Sequence, residues 1–142
     1  MTNEREPIRL PTYKPVLRAY ERLVEAYLTN PTPAHLERVW QQELRLRQEL
    51  VKPGRFQLGR MVQTIGAHNA LAEAFHLPEE FILRHMHGDW GDLPAEDIQA
   101  NEDALRHGAR LLSAYRTRLD SKLWVITEWD RSATTLLLPE EY

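Results

Sequence analysis

The sequence predicts an α+β protein: an N-terminal helical hairpin followed by a domain with one strand, about three helices and a C-terminal three-stranded antiparallel meander. Three observations carry that expectation. Apolar residues recur at helical spacing from Tyr13 to Leu50, with a proline-rich break between two runs. From Leu111 to Leu138 the chain is rich in β-branched, aromatic and aliphatic residues, cut by short polar turns. Between these regions, Pro78, Gly88, Pro94 and Gly108 mark the starts and stops of short helices.

In the first helix Tyr13, Leu17, Tyr20, Val24 and Tyr27 repeat at intervals of four, three, four and three, the spacing of one helical face. Pro15 belongs in its first turn, where a missing N–H costs no hydrogen bond. Thr29-Asn30-Pro31-Thr32-Pro33 ends it, and Thr32 is placed to cap a second helix with Pro33 in its first turn. That helix sets Leu36, Val39, Trp40, Leu44 and Leu50 against a face of Glu, Gln and Arg, so its apolar stripe is expected to pack inward. Val51-Lys52-Pro53-Gly54 then divides residues 1–54, a tail and hairpin, from a main domain over residues 55–142.

Arg55–Gln63 reads as a strand with Phe56, Leu58 and Val62 on one face, and Gly59 marks a bulge or a close backbone contact. Thr64 stands where a cap should, ahead of Ala67, Ala70, Leu71, Ala74 and Phe75, whose small members allow close helix packing. Pro78 opens another short helix that Gly88 ends. Asp92 is expected to cap the next, with Pro94 in its first turn and Gly108 as its stop. The meander strands are Leu111–Thr117, Lys122–Glu128 and Ala133–Leu138, with turns at Leu119-Asp120-Ser121 and Asp130-Arg131. In the middle strand Leu123, Val125 and Thr127 face one way, Trp124, Ile126 and Glu128 the other. Both faces are largely apolar, which suits a central strand.

At 142 residues, with 42% hydrophobic and 27% charged residues, the chain has the material for one soluble globular core. Its net charge of −3 speaks against general affinity for a phosphate backbone, which needs clustered Lys and Arg. Arg38, Arg45 and Arg47 come closest to a basic face and read first as solvated helix surface. The absence of cysteine removes disulfides, thiol catalysis and thiolate metal sites. Residues 1–10 are polar and charged, so they read as a mobile tail without a signal peptide. No apolar run approaches the roughly 18 residues of a membrane span. The expectation is a cytoplasmic protein without membrane contact.

Chemistry concentrates in Arg84-His85-Met86-His87-Gly88-Asp89-Trp90-Gly91-Asp92. As a metal site, His85, His87 and an aspartate would supply imidazole and carboxylate ligands, but histidines two apart on a helix diverge by about 200°. As acid–base machinery, His85 would pair with Asp89 or Asp92 and act on Ser113, Ser132 or a water. Neither serine lies in a G-x-S-x-G turn. A structural role accounts for more of the residues. Gly88 stops a helix, Gly91 turns, Asp92 caps, Asp89 bonds turn amides, and Trp90 plugs the core with its indole N–H satisfied.

A second cluster, Thr127-Glu128-Trp129-Asp130-Arg131-Ser132, sits at the last hairpin. Glu128, at the end of an inward face, would need Arg131, Arg110 or His85 as partner, and a Glu128–His85 contact would merge the two clusters. The candidate binding cluster is therefore His85, Asp89, Trp90, Asp92, Glu128, Asp130 and Arg131. Trp40, Arg38, Arg45 and Trp129 are candidates for a partner surface. No metal and no cofactor is expected.

Residues 55–142 resemble a family of small proteins carried on bacterial plasmids and other mobile elements. The resemblance runs through Phe56-Gln57-Leu58-Gly59, Thr64-Ile65-Gly66-Ala67, Arg84-His85 and Gly88-Asp89-Trp90-Gly91-Asp92-Leu93. It continues through Glu96-Asp97, Asn101, Leu111–Tyr115, Trp124–Glu128 and Asp130–Tyr142, while the helical hairpin lies outside it. Trp129 stands where a smaller residue is expected. The resemblance carries over no catalytic role; it implies a bacterial, cytosolic setting linked to mobile DNA. Together these readings favour a non-enzymatic binding protein with a protein partner, in one form an inhibitor of a restriction or CRISPR complex. The competing reading is a small hydrolase acting on a nucleotide or nucleic acid through His85, Asp89, Asp92 and Glu128.

Overall fold

The computed structural model describes residues 12–142; the tail read at residues 1–10 lies outside them. In order, the described elements are α1 (Tyr13–Thr29), α2 (Pro33–Glu49), β1 (Arg60–Gln63), α3 (Ile65–Glu73) and α4 (Pro78–Met86). They continue with α5 (Ala95–His107), β2 (Leu111–Arg116), β3 (Lys122–Thr127), β4 (Ala133–Leu137) and a 3-10 turn, Pro139–Glu141.

The helix starts follow local chemistry. Thr32 Oγ1 accepts the His35 N–H at 3.2 Å, and Thr64 Oγ1 accepts the Ala67 N–H at 3.1 Å, each satisfying an orphan first-turn donor. Gly108 ends α5 in the left-handed region, φ 75°. The start of α5 differs from expectation. Pro94 is its N-cap and lies outside the first turn, because the Asp92 N–H donates to Ala114 O at 2.7 Å and holds Asp92 against β2.

Thr12 Oγ1 donates to Glu49 Oε2 at 2.7 Å, so the start of α1 meets the end of α2 and the pair is antiparallel. The buried face of α2 is Val39, Gln42, Leu46 and Glu49; of the expected stripe Val39 is buried and Leu50 packs against the core, while Trp40 and Leu44 are not part of it. Trp40 and Leu44 are 57% and 61% exposed. Polar side chains take inward positions because they find partners there: Gln42 Nε2 donates to Val16 O at 3.1 Å, and Glu49 takes Thr12 and Lys52. Tyr13, Leu17, Tyr20 and Val24 pack with Val39 and Leu46 and with Leu83 and Met86 of α4. One core thus spans the break at Pro53, and each large apolar side chain buried there contributes roughly 1.5–3 kcal/mol.

The sheet has four strands in the order β1-β4-β3-β2. β2–β3 and β3–β4 are antiparallel, which is the meander, and β3 is internal. β1 joins beside β4 in parallel, from Arg60↔Ala133 to Gln63↔Leu136, so the sheet is mixed. This strand begins at Arg60 and not at Arg55. Gly59, φ 64°, lets the chain pass so close to Arg131 and Ser132 that a Cβ would collide with their backbone. Ala67 and Leu71 of α3 and Phe81 and Ile82 of α4 cover Tyr115, Leu123, Val125 and Leu136 on one sheet face. The outer edge of β2 is closed. Ala114 pairs with the segment Trp90–Asp92, and Asn101 of α5 bonds both the N–H and the C=O of Leu112, at 3.0 and 2.6 Å. Among the described residues no helix is long and apolar enough to cross a membrane.

Candidate functional site

His85 lies in α4 and is fully buried, as are Ser113, Thr127 and Thr134. Its Nδ1 is 2.6 Å from Ser113 Oγ and its Nε2 is 2.8 Å from Thr127 Oγ1. Thr127 Oγ1 is 2.7 Å from Thr134 Oγ1, which donates to Leu58 O at 2.7 Å. The last bond orients the whole chain. Thr134 spends its proton on Leu58 O, so it accepts from Thr127; Thr127 then accepts from His85 Nε2–H. His85 Nδ1 is left as the acceptor of the Ser113 hydroxyl. Burial, with Arg131 adding, lowers the His85 pKa to about 3, so the ring stays neutral near pH 7. Phe56 and Trp90 meet this ring edge-on at 5.1 and 5.7 Å.

A serine on a histidine nitrogen is the first half of a nucleophilic pair. Here both members are 0% exposed and the second nitrogen faces a threonine, so no reacting atom reaches them in this arrangement. The chain ties α4 to β2, β3, β4 and the approach to β1. Its alternating hydroxyls were partly legible: Thr127 shares a face with Leu123 and Val125 in the period-2 pattern.

Glu128 does not meet His85, contrary to the contact considered from sequence. It is exposed, one residue beyond Thr127, and its backbone pairs with Ala133 across the hairpin. The period-2 alternation turns Glu128 away when Thr127 turns in. Asp89 pairs with Arg84 (Oδ2 to Nε 2.7 Å) and accepts the Gly91 N–H at 3.2 Å. Arg84 lies over the Tyr115 ring at 4.4 Å, and Tyr115 donates to Asp89 O at 2.5 Å. Trp90 is 4% exposed, and its Nε1 donates to Glu102 Oε1 at 3.2 Å. Glu102 also takes both Nη atoms of Arg55, at 2.9 and 2.7 Å, which holds its carboxyl below the usual range. Asp92 is exposed and takes no part in that network.

Arg131, φ 60°, turns back under α5. Its guanidinium donates to Ala109 O at 2.6 Å, Ala104 O at 3.1 Å and Glu128 O at 3.1 Å, which covers the carbonyl end of that helix. Asp130 Oδ1 accepts the Ser132 N–H at 3.0 Å in the turn, and hydrogen bonding from the Ser132 side chain, then from this N–H, lowers its pKa. His87 stacks on Tyr13 at 4.3 Å, far in role from the hydroxyl-bonded His85. Among the described residues, no three His, Asp or Glu side chains group as a metal site.

The surface candidates separate too. Arg38 and Arg45, seven residues apart, share one exposed face of α2, whereas Trp40 and Leu44 share another. Trp129 stands alone at the β3–β4 turn, 66% exposed. Sequence reasoning missed Asn101, the Arg55–Glu102 pair and the open side of β1; only the first carried a signal, as a polar side chain on the inward face of α5. No family model matches this chain, and neither a curated protein nor a solved structure matches it.

Proposed function

We propose that this chain is a non-enzymatic binding protein that engages a protein partner on behalf of a mobile element, in one form as an inhibitor of a restriction or CRISPR complex. The observation that supports it is the state of His85: buried, neutral and bonded through both nitrogens, with Glu128 turned to solvent. The competing hydrolase needs His85, Asp89, Asp92 and Glu128 to converge on an open pocket. Exposed Trp40 and Leu44 on α2 and Trp129 at the hairpin are the side chains that suit a partner contact. The setting on a mobile element rests on the resemblance over residues 55–142 alone.

The test is affinity capture from a bacterial host with the full-length protein, beside the variants Trp40→Ala/Leu44→Ser and Trp129→Ser. The expected result is one stoichiometric partner, retained by the wild type and lost from at least one variant of unchanged thermal stability. Turnover of a nucleotide or nucleic acid that disappears in His85→Leu, with no partner retained, would overturn the proposal.

A further inference from the structure

β1 is the one edge of the sheet that nothing closes among the described residues. The Arg60 N–H donates to Ser132 O at 2.9 Å and the Thr64 N–H to Leu136 O at 3.0 Å. In a ladder of alternating bonds, the N–H and C=O of Met61 and Gln63 then point away from β4, outward. Beside this edge runs a groove of about 520 Å³ lined by Leu50, Val51, Leu58 and Met61 together with the polar Lys52 and Gln57. It continues past Leu50 and Met61 into a smaller one of about 140 Å³ lined by Pro78, Glu79 and Ile82. Val51 is 87% and Met61 51% exposed, the side chains a docked strand would cover.

The charge at the far end identifies the occupant. Glu79 Oε2 is buried with no hydrogen-bond partner, and its other oxygen lies 3.6 Å from Arg47 Nε, beyond hydrogen-bond distance. Glu43 and Glu80 stand near; burial raises the Glu43 pKa, Arg47 works against it, and Glu79 and Glu80 add to the rise. We propose that β1 accepts an extended segment of a protein partner that carries a lysine or arginine for Glu79 and an apolar side chain two positions away for the Leu50–Met61 groove. Main-chain bonds to Met61 and Gln63 supply affinity, and the alternating side chains supply choice. A second copy of this chain fits less well: two-fold antiparallel pairing keeps the sheet faces, so it would offer Met61 and Gln63, neither basic. This inference rests on the binding reading above.

Its test uses the full-length protein and a labelled eight-residue peptide alternating threonine with valine and carrying one lysine, beside the same peptide with glutamate instead. The lysine peptide is expected to bind about tenfold tighter by fluorescence anisotropy. It should slow amide exchange at Met61 and Gln63. Glu79→Gln should remove the discrimination. Met61→Pro, which removes an outward N–H and a groove side chain without breaking a bond to β4, should weaken both peptides. Equal binding of the two peptides, or unprotected amides at residues 61 and 63, overturns the proposal. So does protection of these amides in a dimer without peptide, which makes a second copy the occupant. Peptide binding seen only with a chain starting at Thr12 overturns it as well, in favour of residues 1–11. Partner capture that survives Glu79→Gln and Met61→Pro leaves the binding reading intact and removes only this docking mode.

Discussion

Replacing His85 by leucine breaks the buried hydroxyl–imidazole chain at its centre. Ser113 and Thr127 lose partners at 2.6 and 2.8 Å. A buried polar group left unpaired costs about 1–3 kcal/mol, and Thr127 keeps its bond to Thr134, so about 3 kcal/mol is expected at pH 7. That is a large share of a typical folding stability of about 5–15 kcal/mol. Acid should then close the gap. In the unfolded chain His85 takes up a proton near its ordinary pKa of 6.5, while in the folded protein it resists until about pH 3. The unfolded state therefore binds more protons between these values, and wild-type stability falls as pH falls through that window. From pH 7 to 4.5 this one group removes on the order of 2–3 kcal/mol, and the leucine variant loses none of it. Urea unfolding at both pH values measures the difference. The triple variant His85→Leu/Ser113→Ala/Thr127→Val, which removes the imidazole together with both hydroxyls bonded to it, should recover most of the loss at pH 7. A His85→Leu protein as stable as the wild type at pH 7, or one with undiminished acid sensitivity, would refute the reasoning.

Arg131→Ala removes three bonds to backbone carbonyls and should cost about 1–2 kcal/mol, with faster amide exchange at the end of α5. Asn101→Ala opens the outer edge of β2 at Leu112; it should cost about 1–3 kcal/mol and raise self-association, read by sedimentation velocity. Glu102→Gln keeps an acceptor for the Trp90 indole while weakening the partly exposed Arg55 pair, so thermal unfolding should register less than about 1 kcal/mol. Glu102→Leu, which leaves the indole N–H unpaired, should cost more.

The mixed sheet explains where a binding strand has room. Its β2 edge is occupied twice over, by the Trp90–Asp92 segment and by Asn101, and its β1 edge is short but free among the described residues. The polar cluster at His85–Asp92 divides accordingly. His85 fastens the sheet to α4, Asp89 and Trp90 hold the turn, and Asp92 pairs its backbone with β2. None of these groups needs a ligand to account for its contacts.

Much of the fold was legible because its signals are local. Thr32, Thr64, Pro78 and Gly108 act on backbone groups within three or four residues, so helix starts and stops could be read in place. The meander was readable for the same reason, its turns at Asp120 and Arg131 lying between β-rich runs. The tertiary structure decided what depends on a distant partner. α2 buries Gln42 and Glu49 because α1 supplies Val16 O and Thr12 for them, and Trp40 is left outside. β1 finds β4 across some seventy residues, a pairing no local periodicity encodes. The same holds for the candidate site: alternation along β3 admits either Thr127 or Glu128 toward His85, and only packing under α4 selects the hydroxyl over the carboxylate, whose burial beside a neutral ring would cost its hydration.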